Sequence, residues 1–247
     1  MRRKTILLLA VMVAVLAATS GWGKAVYEQD SLPTSAGVVE VTFIGHGSLM
    51  LRFDGKVIHV DPVTTYADYA TMPKADIILL THHHGDHLEA EALMHLRTAK
   101  TRVLLTELCA EKVQGGTVMK NGDGIQVDGI EVEAVPAYNL VHKRDNGEFF
   151  HPRGEGNGYV LSFGDTRIYI AGDTENTAEM KALRDIDYAF LPMNLPYTMT
   201  PEMVADAVTA FRPKVLYPYH FGETDTSRIV ELLRDEKDIE VRLRRMK

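Results

Sequence analysis

Within six residues, the run His82-His83-His84-Gly85-Asp86-His87 offers His82, His84, Asp86 and His87, all ligand types for borderline-soft divalent metals. In an extended segment His82 and His84 project to one side and His83 to the other. The turn that follows can then aim Asp86 and His87 at a second cation nearby. Cations held in this way acidify water and polarise a substrate oxygen.

A loop with that chemistry has to be fixed by its neighbours. An apolar run at 77–80 stops at Thr81, and residues 88–96 read as a helix, so the cluster falls between a buried strand and a helix. Upstream, Val39, Val41 and Phe43 alternate with Glu40 and Thr42, and Leu49, Leu51 and Phe53 alternate after Gly45-His46-Gly47, which is a hairpin pattern. Asp54-Gly55 turns into a strand at 56–60 that ends at Asp61-Pro62. Residues 24–36 carry Ser, Pro, Thr and Gly without periodicity and read as a surface lead-in.

Further strands are expected at 102–105, 124–127, 130–135, 159–163, 167–171, 188–191 and 215–217, with a last one at the terminus. Between two of them, residues 136–157 form a long irregular stretch rich in charge, Gly and His, a length that in a compact domain signals function or disorder. Thr200-Pro201-Glu202 opens one helix, and residues 227–233 form another. No linker splits the chain, so residues 24–247 are expected to form one domain of two β-rich halves, each ending in helices.

The 247 residues are 45% hydrophobic and 25% charged, which excludes collagen-like, disordered and polytopic membrane classes. Arg2, Arg3 and Lys4 precede an apolar run at 6–18 and then small residues, the signature of a secretory signal peptide, expected over 1–23. The run is short for a membrane span, although an uncleaved anchor is the competing reading. No Cys near the cleavage region invites lipid modification. Loss of those three basic residues takes the net charge from −7 to −10, which opposes binding to nucleic acid. The expectation is a secreted or periplasmic protein with a small-molecule substrate and no stable membrane span after cleavage. The single Cys109 permits neither an internal disulfide nor a Cys-based zinc cluster. In a helix expected at 108–113, with Leu108, Cys109 and Val113 inward, it reads as a small buried hydrophobe.

The 81–87 segment resembles the H-x-H-x-D-H signature of the metallo-β-lactamase superfamily. In the same order, Ile170-Ala171-Gly172-Asp173-Thr174 resembles that family's strand-end Asp, and Tyr217-Pro218-Tyr219-His220 its late strand ending in a His. Residues 42–48 and Val60-Asp61-Pro62 resemble the opening hairpins of the branch of metal-dependent hydrolases that includes the ascorbate-phosphate lactonases. The resemblance runs from Val38 to Gly222. It implies an α+β fold, a four-layer αβ/βα sandwich, with two divalent metal ions, zinc foremost and manganese or iron as alternatives. His82 and His84 would hold one ion, Asp86, His87 and His220 the other, and Asp173 would bridge them. A bridging Asp in place of the Cys of one class of true β-lactamases weakens an antibiotic-hydrolysing reading.

The family supplies a third His for the first ion just after the strand at 130–135, where this chain has Ala137-Tyr138-Asn139. His142, His151 and Asn139 are the candidates. His151 is favoured because Pro152 fixes the backbone beside it and Gly158-Tyr159-Val160 re-enters the sheet soon after. The resemblance places His46 near the metal face as a substrate contact, while His59, between Ile58 and Val60, reads as structural. Asp61 either steadies a metal-bound His from behind or simply initiates a turn before Pro62. Asn194 and Tyr197 are candidates for binding substrate or an oxyanion. Arg153 either meets an anionic substrate group or is solvated.

The activity implied is hydrolysis of an ester, lactone or phosphoester by a hydroxide shared between the metals, with Asp86 and Asp173 as the catalytic carboxylates. The alternatives are a phosphodiesterase or phospholipase of the same fold and a non-hydrolytic di-iron redox or metal-binding module.

Overall fold

The alternating patterns become strands that join their sequence neighbours in a computed structural model, which describes residues 27–246. The signal peptide expected over 1–23 lies outside the described residues. The chain begins with β1 (Glu28–Thr34), β2 (Gly37–Gly45), β3 (Ser48–Phe53), β4 (Lys56–Val60) and β5 (Ile77–Leu79). Then come α1 (Ala90–Leu96), β6 (Arg102–Leu105), α2 (Glu107–Ala110) and β7 (Thr117–Val118). These seven strands form one sheet in sequence order, antiparallel from β1 to β4 and parallel from β4 to β7.

The second half repeats the plan. It comprises β8 (Gly124–Val127), β9 (Ile130–Ala137), β10 (Gly156–Phe163), β11 (Thr166–Ile170), α3 (Ala178–Lys181), β12 (Tyr188–Pro192), α4 (Pro201–Phe211), β13 (Val215–Tyr219), α5 (Ser227–Leu232) and β14 (Glu240–Val241). Its sheet runs β8 to β14, antiparallel to β11 and parallel beyond.

Period two explains how the layers stack. On β5, Ile77 and Leu79 join the core shared by the two sheets, where they meet residues such as Tyr159, Phe190 and Leu216. Ile78 and the following Leu80 turn to the opposite face and pack with Leu93 and Leu96 of α1 and Cys109 of α2. All four side chains on this segment are sealed from solvent, and burial of each contributes roughly 1.5–3 kcal/mol. Val204, Ala207, Val208 and Phe211 form the buried stripe of α4 under the second sheet, and Thr200 caps that helix by accepting from Met203 N at 3.1 Å. The result is the expected four-layer αβ/βα sandwich.

Three local expectations need correction. The 24–36 lead-in contains β1, paired antiparallel along β2 from Glu28↔Phe43 to Thr34↔Gly37. Its polar residues mask the pattern because they have partners of their own. Asp30 takes an ion pair from Arg244 at 2.6 Å and a hydrogen bond from the Tyr217 hydroxyl at 2.6 Å, while Pro33 is tolerated on an edge strand. The helix around Cys109 ends at Ala110, leaving Leu108 half-buried. Finally, β10 starts at Gly156 rather than Tyr159. Its glycines are required by close approach, since a Cβ at Gly158 would lie 2.7 Å from Ala171 O. Cys109 itself is fully buried, as expected, and burial pushes its thiol up to about 11. Among the described residues no helix is long and apolar enough to cross a membrane.

Candidate metal centre

The polar residues of interest stand just past the carboxyl ends of parallel strands, where open sheets of this kind gather their ligands. Beyond β4 the chain turns at Asp61, whose φ is 42° and whose N–H donates to Leu79 O at 3.0 Å. Its buried carboxylate accepts from Thr81 N at 2.8 Å, from the Thr81 hydroxyl at 2.5 Å and from His87 Nδ1 at 2.8 Å. A carboxylate can only accept here, so His87 carries its proton on Nδ1. The Thr81 hydroxyl, having donated to Asp61, can only accept from His82 Nδ1 at 3.0 Å. In both imidazoles Nδ1 is thereby committed to its support, which leaves Nε2 as the atom available to a metal. Gly47 makes room for one of them, because a Cβ there would lie 2.7 Å from His87 Cε1.

Those Nε2 atoms converge on Asp173, which follows β11. Asp173 Oδ2 lies 3.2 Å from His151 Nε2 and 4.0 Å from His82 Nε2. Asp173 Oδ1 lies 3.4 Å from His87 Nε2 and 3.3 Å from His220 Nε2. The two oxygens of one carboxylate thus face two separate histidine pairs. His84 joins the first pair, its ring centroid 4.7 Å from that of His82 and 4.9 Å from that of His151. Asp86 Oδ2 joins the second, 3.9 Å from His87 Nε2 and 3.8 Å from His220 Nε2. The ligand atoms of His82, His84 and His151 lie within 4.8 Å of one another, as do those of His46, Asp86, His87 and His220.

Divalent cations fit this arrangement. Eight buried side-chain polar atoms lack a hydrogen-bond partner among the described residues, and four of them, on His82, His87, Asp173 and His220, point into this one space. Leaving such an atom unpaired is destabilising by about 1–3 kcal/mol, a penalty that coordination removes. The charges agree. Burial would raise the Asp173 carboxyl, but the histidines around it hold it well below the usual carboxylate range. Burial, with His151 beside it, pushes His84 down to about 4, so its ring is neutral and free to ligate at neutral pH. Burial would also lower His87, yet Asp173 and Asp61 raise it to about 9, the mark of a pocket that calls for positive charge.

The centre opens into a cleft of about 450 Å³ walled by His46, His84, Arg144, Phe150, Asn194 and Tyr197. His46 does more than border it, because its Nε2 lies 3.1 Å from Asp86 Oδ2, inside the second cluster. Asn194 and Tyr197 do face the cleft, and the Tyr197 ring meets Phe150 edge-on at 5.0 Å. His142 is not brought to the centre; its Nδ1 bonds Glu175 at 2.7 Å. Asn139 stands behind His151 and accepts from its Nδ1 at 2.8 Å. Arg153 pairs with Glu179 at 2.6 Å away from the cleft. His83 belongs to neither ligand cluster, and His59 is fully buried with Nε2 3.2 Å from Pro73 O. Sequence reasoning passed over Thr81, Arg144, Phe150 and Glu175. Thr81 gains its role from its bonds to Asp61 and His82, whereas Arg144, Phe150 and Glu175 gain theirs only when the 138–155 segment folds onto the strand ends.

Residues 40–220 match the family described as beta-lactamase superfamily domain. A Methanopyrus kandleri protein named as a UPF0173 metal-dependent hydrolase is 31% identical over 195 residues, covering 74% of this chain and 84% of the relative. A Parabacteroides distasonis protein classed as a metal-dependent hydrolase is similar in crystal structure, with a TM-score of 0.86 and 48% identity over 90% of this chain and 100% of that one. A metallo hydrolase of Ignicoccus hospitalis shares the fold at a TM-score of 0.68 and 24% identity, covering 85% and 96% of the two chains.

Proposed function

The chain belongs to the beta-lactamase superfamily domain family and is a metal-dependent hydrolase, and from that premise we propose a dinuclear enzyme, zinc-loaded, that cleaves an ester, lactone or phosphoester. The observation that carries this reading is the division of Asp173, one oxygen toward His82 and His151 and the other toward His87 and His220. In this reading His82, His84 and His151 hold one ion, Asp86, His87 and His220 the other, and Asp173 spans both. Bound cations would supply an acidified water and a Lewis acid for the substrate's carbonyl or phosphoryl oxygen.

The protein's own groups do the rest. Asp61 and Thr81 keep His82 and His87 in the Nδ1–H form and aim their rings, so the ligands need no rearrangement. Asp86 is the half-exposed carboxylate of the centre, with 46% of its side chain accessible, and it faces the cleft. Burial would raise its carboxyl, but His220, His46 and His87 hold it well below the usual carboxylate range, so it stays an ionised acceptor that can orient a water or a substrate hydroxyl, with His46 Nε2 3.1 Å away. Asn194 and Tyr197 offer an amide and a phenol to a developing oxyanion on the cleft wall.

A phosphodiesterase acting on lipid-derived substrates is the second reading, and one feature favours it. Leu140, Val141, Leu195 and Tyr197 are exposed on two loops that the Asn139 side chain ties together through Tyr197 O at 2.9 Å. Export through residues 1–23 belongs to the same proposal and is tested by cell fractionation. Metal analysis of purified protein, followed by a panel of esters, lactones and phosphodiesters with and without chelator, tests the activity. Two equivalents of zinc and chelator-sensitive turnover are expected. Cleavage of lipid phosphodiesters alone selects the second reading, and a metal-replete protein inert across the panel overturns both.

A further inference from the structure

Glu175 is a buried carboxylate for which hydrolysis has no use. It lies two residues beyond Asp173, its side chain entirely closed to solvent, and its two oxygens receive five hydrogen bonds. Leu140 N and Val141 N donate to Oε2, each at 2.7 Å, while His142 N at 2.8 Å, His142 Nδ1 at 2.7 Å and Asn139 Nδ2 at 2.9 Å donate to Oε1. So many donors on one carboxylate hold it ionised against its burial.

Asn139 is the link onward. Its Nδ2 donates to Glu175 and to Tyr197 O at 2.9 Å, and its Oδ1 accepts from His151 N and His151 Nδ1, both at 2.8 Å. The amide cannot be reversed, because Tyr197 O can only accept and His151 N can only donate. His151 therefore carries a proton on Nδ1, and its Nε2, 3.2 Å from Asp173 Oδ2, is the atom left to meet a cation.

We propose that Glu175 and Asn139 are a positioning pair: the carboxylate orients the amide, the amide fixes the tautomer and direction of His151, and that sets the affinity of the first metal site. The same amide anchors the Tyr197 loop, so metal ligand and substrate wall share one fixed point. The proposal rests on the reading of the centre as a metal site.

Zinc titration of the metal-stripped full chain against a chromophoric chelator tests it. Asn139→Leu is expected to weaken one zinc site by about 10–100-fold while leaving the other unchanged, and to add nothing in a His151→Ala background. Asn139→Asp sets a second carboxylate against Glu175 and weakens the same site. Glu175→Gln sets an amide NH2 among the donors of residues 139–142 and weakens the same site, and it adds nothing once Asn139 is Leu. A purely structural role predicts instead equal loss at both sites and additive effects in the Asn139→Leu, Glu175→Gln double variant. Wild-type affinity in folded Asn139→Leu, an undiminished effect without His151, or additive effects in the double variant overturns the pair. If the wild-type chain itself binds no zinc, the metal reading falls and takes the pair with it.

Discussion

His87 Nδ1 lies 2.8 Å from Asp61 Oδ2, with both side chains closed to solvent. Asp61 also binds the backbone and hydroxyl of Thr81, which in turn supports His82. One carboxylate therefore orients a histidine of each ligand cluster. Removing it leaves a buried imidazole without its counter-charge, which is destabilising by about 3–5 kcal/mol. Asp61→Ala is expected to lower the melting temperature by several degrees and to weaken both zinc sites by about 10–100-fold, read by calorimetry and zinc competition. Unchanged binding at either site would contradict the shared role.

Asp173 is the group both clusters have in common, and that predicts an effect unlike that of any single histidine. Asp173→Asn keeps the shape but removes the charge that faces four histidines. Bound metal is expected to fall from two equivalents to fewer than one, with loss of hydrolysis, while far-ultraviolet circular dichroism stays native. Retention of one tight ion in this variant would show that the clusters do not share the carboxylate.

His142 and His151 offer a direct contrast. His151 Nε2 faces the centre, whereas His142 is bound to Glu175 with about 23% of its side chain exposed. His151→Ala should bind one metal equivalent fewer than the parent, and His142→Ala should keep both. Mass spectrometry of the native proteins counts the ions, and the opposite pattern would exchange the two assignments.

What could be read in advance follows from how locally each feature is encoded. The alternation that builds β2 and β3, the apolar run of β5 and the His82–His87 spacing lie in consecutive residues, so period and ligand type are visible without the fold. Asp173 and His220 were legible through the resemblance of 170–174 and 217–220 to the superfamily's strand-end motifs. β1 was hidden because Asp30 and Pro33 resemble a loop until Arg244 and Tyr217 arrive from the far end of the chain. The Asn139–His151 bond joins residues 12 apart across an irregular segment, and Glu175 gains its five donors only once that segment has folded over it. No periodicity encodes such contacts.

His59 gives a prediction about stability that is independent of the metal centre. Its ring is fully buried, with Nε2 against Pro73 O at 3.2 Å and Tyr69 edge-on at 5.8 Å. Burial is the main cause that lowers its pKa from 6.5 to about 4, with the Arg52 charge adding to it. In the unfolded chain the ring takes a proton below about 6.5, but in the folded protein only below about 4. The unfolded state therefore binds more protons between these values. Stability is fully present above pH 6.5 and is lost as pH falls toward 4, at up to about 1.4 kcal/mol per unit and roughly 3 kcal/mol in all. His59→Gln keeps a donor for Pro73 O and removes the titration. Urea denaturation of both metal-stripped proteins across this range should show the variant losing about 3 kcal/mol less than the parent. Parallel profiles would mean that the ring is protonated in the fold or reaches solvent before the chain unfolds.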